Sequence, residues 1–225
     1  MDAKTHGVVK EAERILAIRS YDAAHDIDHH RSVLATAQDI AGNITDKYDA
    51  NILEIACMWH DVIVKDYEEI DHKKATQDTA EHLRKYMLNV GFAATESNDA
   101  FLAVNHHEFG DKPVNIEGRI LFDADKLDNL NLERIRRFIA SDRMGKVPKW
   151  KIKAYIKGGV AIIKLTRNKL HFDYSRHLFD KIVNDLWDDK EVAQYAKKYK
   201  VDLSDIKKAL RHTSIIDRII AIVKK

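Results

Sequence analysis

Only 8 Gly and 2 Pro punctuate the 225 residues of this chain, and that scarcity constrains its fold more than any other feature. An all-β chain needs turn residues about every 8–12 positions, far more than are present. Long helices are the natural alternative. The expected fold class is all-α, a compact helical bundle with no significant sheet. Hydrophobic residues make up 45% of the chain, enough for a core and too many for disorder. The length lies near the upper end of what one core serves, so a single domain over residues 1–225 is expected.

Apolar residues at helical spacing place the elements. Val8, Ala12, Ile15 and Leu16 mark an amphipathic helix over 8–19, and Val33, Ala37, Ile40 and Ala41 mark another over 29–44, with Asp28 as its N-cap. A third, over 50–61, is apolar almost all round, which suits the centre of a bundle. Helices over 73–90, closed by Gly91, and over 96–106 follow. Another begins near Ile116 and carries Asp123, Asp125 and Asp128 among apolar residues. Beyond Pro148, helices are expected over 152–165, 174–186 and 204–223.

The single cysteine, Cys57, rules out an intrachain disulfide and a thiolate metal cluster, and its apolar surroundings suggest a buried structural thiol. The N-terminus lacks the apolar stretch of a signal peptide, and no run approaches a membrane span. A net charge of +2 is too small to name nucleic acid or membrane as the main partner. A cytoplasmic protein is expected.

Histidine is the unusual count. Of 12 in the chain, 8 fall between His25 and His107. Three segments join imidazole or carboxylate to helix ends in apolar settings: HDIDHHRSV at 25–33, ACMWHDVI at 56–63 and ILFDADKLDNL at 120–130. His60 and Asp61 close the most apolar helix, a costly place for ionisable groups unless a cation compensates them. Successive residues on a helix point about 100° apart, so the pair converges only where the last turn unwinds. Further ligands must come from other helices, and His29 and Asp125 are the evident donors. Imidazole with carboxylate and no thiolate suits Mn, Fe, Co, Ni, Zn or Mg rather than a structural zinc. A zincin pair is disfavoured because Asp26 stands where Glu is required. A calcium loop fails because Asp128 and Arg134 stand where Gly and Glu are required.

The order His, then His-Asp some thirty residues on, then Asp-Ala-Asp-Lys-Leu-Asp resembles the HD-domain phosphohydrolase superfamily, in its small bacterial branch, over about residues 20–185. Residues 186–225 would then be a helical extension. The resemblance implies one divalent metal held by His29, His60, Asp61 and Asp125, and cleavage of a phosphate ester or anhydride, most naturally of a nucleotide. Asp61 would also serve catalysis. Members often carry an acidic residue or Gly-Lys soon after the His-Asp pair; here the segment reads Val62-Ile63-Val64-Lys65-Asp66, which shifts that role to Lys65 or Asp66 or removes it. Dinuclear branches add histidines before the distal Asp, and His72, His106 and His107 are the candidates for a second metal.

From Arg134 to Lys164 ten Lys or Arg face one acid, Asp142, leaving the remainder net acidic. Such a stretch attracts phosphate, which makes Arg136 and Arg137, with His106 and His107, the candidate substrate-binding residues. The expected partner is a small phosphorylated substrate, with nucleic acid and membrane not expected and homodimerisation left open. Two other readings compete. A silent metal- and nucleotide-binding sensor is kept open by the altered Val62–Asp66 segment, and a nucleic-acid-binding helical protein would show steep salt dependence and no need of metal.

Overall fold

The computed structural model describes residues 2–18, 26–63, 72–145, 152, 163 and 165–200, and among them every regular element is helical, with no strand. The helices are α1 (Ala3–Ile18), α2 (Ile27–Gly42), α3 (Ala50–Trp59), α4 (His72–Asn89), α5 (Ala94–Asn105), α6 (Ile116–Asp128), α7 (Leu132–Arg143), α8 (Asp173–Asp188) and α9 (Lys190–Lys198). They group into two compact units, Met1–Asn129 with His171–His177, and Leu130–Leu170 with Leu178–Lys225. No helix among the described residues is long and apolar enough to cross a membrane.

In the first unit α3 is the central element, as its unbroken apolar surface requires. Ile52, Leu53, Ile55, Ala56, Cys57, Met58 and Trp59 are all buried. Each large side chain among them contributes about 1.5–3 kcal/mol by leaving water. α3 packs against α1, α2, α5 and α6, while α2 also packs on α6 and α4 on α5. The indole of Trp59 donates to the Val8 carbonyl at 3.0 Å, tying α1 to the end of α3. Asp49 caps α3 by accepting from the Asn51 and Ile52 amides. α6 approaches α5 closely because residue 118 is glycine: a Cβ there would lie 3.2 Å from Ala103 Cα and 2.8 Å from the capping oxygen of Asn115.

Two termini show how local chemistry sets the boundaries. α2 starts two residues earlier than the apolar pattern suggests, and its N-cap is Asp26, not Asp28; the Asp26 carboxylate accepts from the His29 amide at 2.9 Å. α4 ends where Gly91 takes φ +89°, with Gly91 N–H donating to Leu88 and Phe92 N–H to Met87, the paired bonds of a Schellman stop.

In the second unit, Ile139 of α7, Ile152 and Tyr195 of α9 form a small core flanked by Ile135, Phe138, Val192 and Tyr199. Asp142 gathers the hydroxyls of Tyr195 and Tyr199, each at 2.9 Å. Neither α7 nor α9 stands out in the sequence pattern. The expected helix over 204–223 and most of that over 152–165 lie outside the described residues.

Candidate metal centre

Helix ends build this centre. His29 stands in the first turn of α2, its backbone held by the Asp26 cap. His60 is the C-cap residue of α3, and Asp61 follows it where the helix has stopped. His107 follows the end of α5. Asp125 comes from the last turn of α6. All five side chains are buried. They form two overlapping clusters, His29–His60–Asp125 and His60–Asp61–His107, in each of which candidate ligand atoms lie within 4.8 Å of one another.

Each imidazole is oriented through its Nδ1. His29 Nδ1 lies 2.7 Å from an Asp128 oxygen, and Ser32 donates to the other oxygen of the same carboxylate. His60 Nδ1 lies 2.8 Å from the Cys57 carbonyl, and His107 Nδ1 lies 2.6 Å from the Val104 carbonyl. A carboxylate and two carbonyls only accept, so in each ring Nδ1 carries a proton, and whenever the ring is neutral Nε2 carries the lone pair. His29 and His60 then turn two lone pairs toward each other at 3.1 Å, with Asp125 Oδ1 at 3.5 and 3.9 Å from them. Asp61 approaches His60 Nε2 and His107 Nε2 at 3.5 Å each. Bare acceptors converging in a buried space repel unless a cation or proton lies among them. The donor set therefore fits a divalent ion of the imidazole–carboxylate type, and the second-layer partners Asp128, Cys57 and Val104 are of the kind that set metal-binding histidines.

Electrostatics sort these groups. Burial pulls the His60 imidazole down to about 4, against the opposing pull of Asp61, so it is neutral at neutral pH. His107 goes the other way: burial lowers it, but the Asp61 and Glu108 carboxylates outweigh that and carry it up to about 9. Burial would raise Asp125, yet Lys126 and the neighbouring histidines hold it well below the usual carboxylate range. Without metal, His107 is the charged partner of Asp61. A cation on Asp61 competes with that proton.

The four residues expected to bind metal, His29, His60, Asp61 and Asp125, are thus brought together, and His107 joins them. His106 does not: it caps α5 and lies 3.2 Å from the Asn105 amide, outside both clusters. Arg136, on α7 in the second unit, donates to Glu133 at 2.9 Å and Asp189 at 2.7 Å, and Arg137 follows it on the same helix. Lys65, Asp66 and His25 lie outside the described residues, and of His72 only the backbone is described.

Three more residues of the Asp-Ala-Asp-Lys-Leu-Asp run contribute in ways that the run itself does not specify. Asp128 orients His29 across 99 positions of chain. Lys126 sets its ammonium 2.6 Å from Asp125 Oδ2. Asp123, fully buried, accepts from the His171 and Phe172 amides and from His171 Nδ1, pinning the approach to α8. Positions 123 and 125 differ by about 200° around a helix, which sends the two carboxylates to opposite sides of α6.

Comparison with known proteins bears on the fold. Three solved structures share the fold. A predicted HD superfamily hydrolase from an uncultured Thermotogales bacterium has a TM-score of 0.58 at 20% identity, over 84% of this chain and 92% of its own. Bacillus subtilis YpgQ, solved in complex with ADP, has a TM-score of 0.61 at 18% identity, over 87% and 94%. A Lactobacillus plantarum protein has a TM-score of 0.64 at 19% identity, over 90% and 99%. No curated protein matches the chain in sequence. The family model of the HD domain matches residues 26–130, a span that contains every member of both clusters. Residues 26–130 of this chain thus match the HD domain.

Proposed function

We propose that this chain is a phosphohydrolase that uses one divalent cation, held by His29, His60, Asp61 and Asp125, to cleave a phosphate ester or anhydride of a small phosphorylated substrate, a nucleotide above all. The observation that carries the reading is the approach of His29 Nε2 and His60 Nε2 to 3.1 Å beside Asp125. A bound cation supplies Lewis acidity toward a phosphoryl oxygen and makes a water acidic enough to attack near neutral pH. The protein's own part is to hold and to neutralise. Asp128 and the Cys57 carbonyl keep His29 and His60 in the ligating tautomer. Asp61 and Asp125 bring negative charge into a buried space, and Asp61, beside His107, is placed to take a proton and pass it on. The nucleotide preference draws support from the ADP seen with the B. subtilis relative.

The test is a hydrolysis panel with Mn²⁺, Ni²⁺, Co²⁺, Zn²⁺ or Mg²⁺ against nucleoside mono-, di- and triphosphates and generic phosphate esters, with product identification. Metal-dependent release of phosphate or pyrophosphate is expected. A chain that takes up metal and nucleotide yet turns nothing over is a sensor, and one that takes up no metal at all defeats the reading.

A further inference from the structure

Lys126 carries a cation into the interior, where its side chain is only 6% exposed. Its ammonium carries three donors, and one is spent, on Asp125 Oδ2 at 2.6 Å. Its other neighbours are the Glu108 carboxylate at 3.8 Å, beyond hydrogen-bond reach, and the Phe122 ring, whose centroid lies 5.5 Å away. Among the described residues, two donors on this buried cation therefore have no acceptor within hydrogen-bond distance. Burying unpaired donors costs free energy that a fold retains only where something supplies the acceptor.

The position says what the acceptor is. Asp125 turns Oδ1 toward the lone pairs of His29 and His60 and Oδ2 toward Lys126. With a divalent ion on the Oδ1 side, one carboxylate separates two cations, and its single charge cannot balance both. A third group, anionic and rich in acceptors, satisfies the ammonium and the ion together. Glu108 marks the side from which it arrives. Its side chain is 34% exposed, against 10% or less for the His29, His60, Asp61, His107 and Asp125 side chains.

We propose that Lys126 is the anion anchor of the centre, binding a non-bridging phosphoryl oxygen of the substrate beside the metal, with Glu108 as the partner that the phosphoryl group displaces. This rests on the metal reading above and assigns its substrate side. A lysine serves here as a point charge against a tetrahedral oxyanion, the role such a residue plays in many phosphoryl-transfer sites. Glu108 is a competitor for that charge, so the two residues must act with opposite sign.

The experiment uses the full chain and two titrations, Mn²⁺ into metal-free protein and inorganic phosphate into Mn²⁺-loaded protein, each followed by calorimetry. For Lys126→Met, Mn²⁺ should bind as tightly as in wild type or more tightly, because a repelling charge is gone. Phosphate should bind about 10- to 100-fold more weakly, the loss expected for a hydrogen bond to a charged group. Lys126→Arg should keep most of the phosphate affinity, and Glu108→Gln should increase it. If Lys126→Met instead weakens Mn²⁺ and leaves phosphate unchanged, Lys126 only positions Asp125 and the proposal fails. It fails equally if neither affinity moves. Should Lys126→Met not fold, Glu108→Gln decides, with unchanged or weaker phosphate binding overturning the proposal. A wild-type chain that takes up no Mn²⁺ fails the metal reading and this assignment with it, whereas Mn²⁺ uptake with phosphate indifferent to both residues fails this assignment alone.

Discussion

Replacing Asp123 by Asn should separate stability from metal binding. The carboxylate is fully buried on α6 and receives two backbone amides and one imidazole N–H, at 2.9–3.2 Å. Asparagine keeps the shape but offers one accepting oxygen, and its amide hydrogens meet the remaining donors head on. Hydrogen bonds to a charged group contribute about 1.5–3 kcal/mol each. His171 is partly in water and recovers some of its share by solvation. Relief from burying a charge offsets more. A net loss of about 3 kcal/mol follows, which for a chain of this size lowers the melting temperature by about 6–12 °C. Metal uptake should be retained, because Asp125 leaves α6 on the opposite side. Differential scanning calorimetry of the metal-free protein, with elemental analysis after metal loading, reads both quantities. An Asp123→Asn variant melting within about 2 °C of wild type would refute this role of Asp123 in holding the approach to α8. One that kept its melting temperature but lost metal would reverse the roles of the two aspartates.

Asp61→Ala should show the converse: a folded protein whose metal content falls steeply and whose turnover drops at least about 10³-fold, about 4 kcal/mol in the barrier, by elemental analysis and phosphate release. Metal-free stability should peak near pH 6.5 in denaturant titrations. His60, about 4 when folded, makes the unfolded chain the stronger proton binder between there and its ordinary value, so stability rises with pH across that window. His107, about 9 when folded, does the opposite, and its contribution is lost as pH climbs from about 6.5 to 9. Each limb should span on the order of 3 kcal/mol, and stability flat from pH 4 to 9 would contradict both assignments. Cys57 is fully buried, with its thiol pushed up by that burial, so a thiol reagent should react only on unfolding, and stoichiometric labelling of the native chain would place it elsewhere.

Helical class, the central place of α3 and the proximity of His29, His60 and Asp125 were legible because each rests on local pattern or on a motif with fixed spacing. What was not legible depends on partners far away in sequence. Asp128 lies in the Asp-Ala-Asp-Lys-Leu-Asp run, but nothing local names its partner, His29, 99 positions earlier. The pairing of His107 with Asp61 joins the ends of two different helices, and no spacing rule links them. α7 was hidden by its own charges: counting Arg134, Arg136 and Arg137 as a basic stretch obscured Leu132, Ile135 and Ile139, which recur at helical intervals. The Asp26 cap was misassigned to Asp28 because both are good caps and the apolar stripe alone does not say which turn comes first.

One backbone oxygen ends up with more responsibility than any side chain near it. The Cys57 carbonyl lies 2.8 Å from His60 Nδ1 and 3.3 Å from His30 Nδ1. Its place is set by the end of α3 at Trp59, which puts this carbonyl in the helix's last turn. The length of α3 is therefore a functional parameter in its own right. Exchange of Cys57 for another small apolar residue leaves that oxygen where it is. A single residue inserted earlier in α3 would rotate it by about 100°, stripping two imidazoles of their anchor while every candidate ligand remained in the sequence.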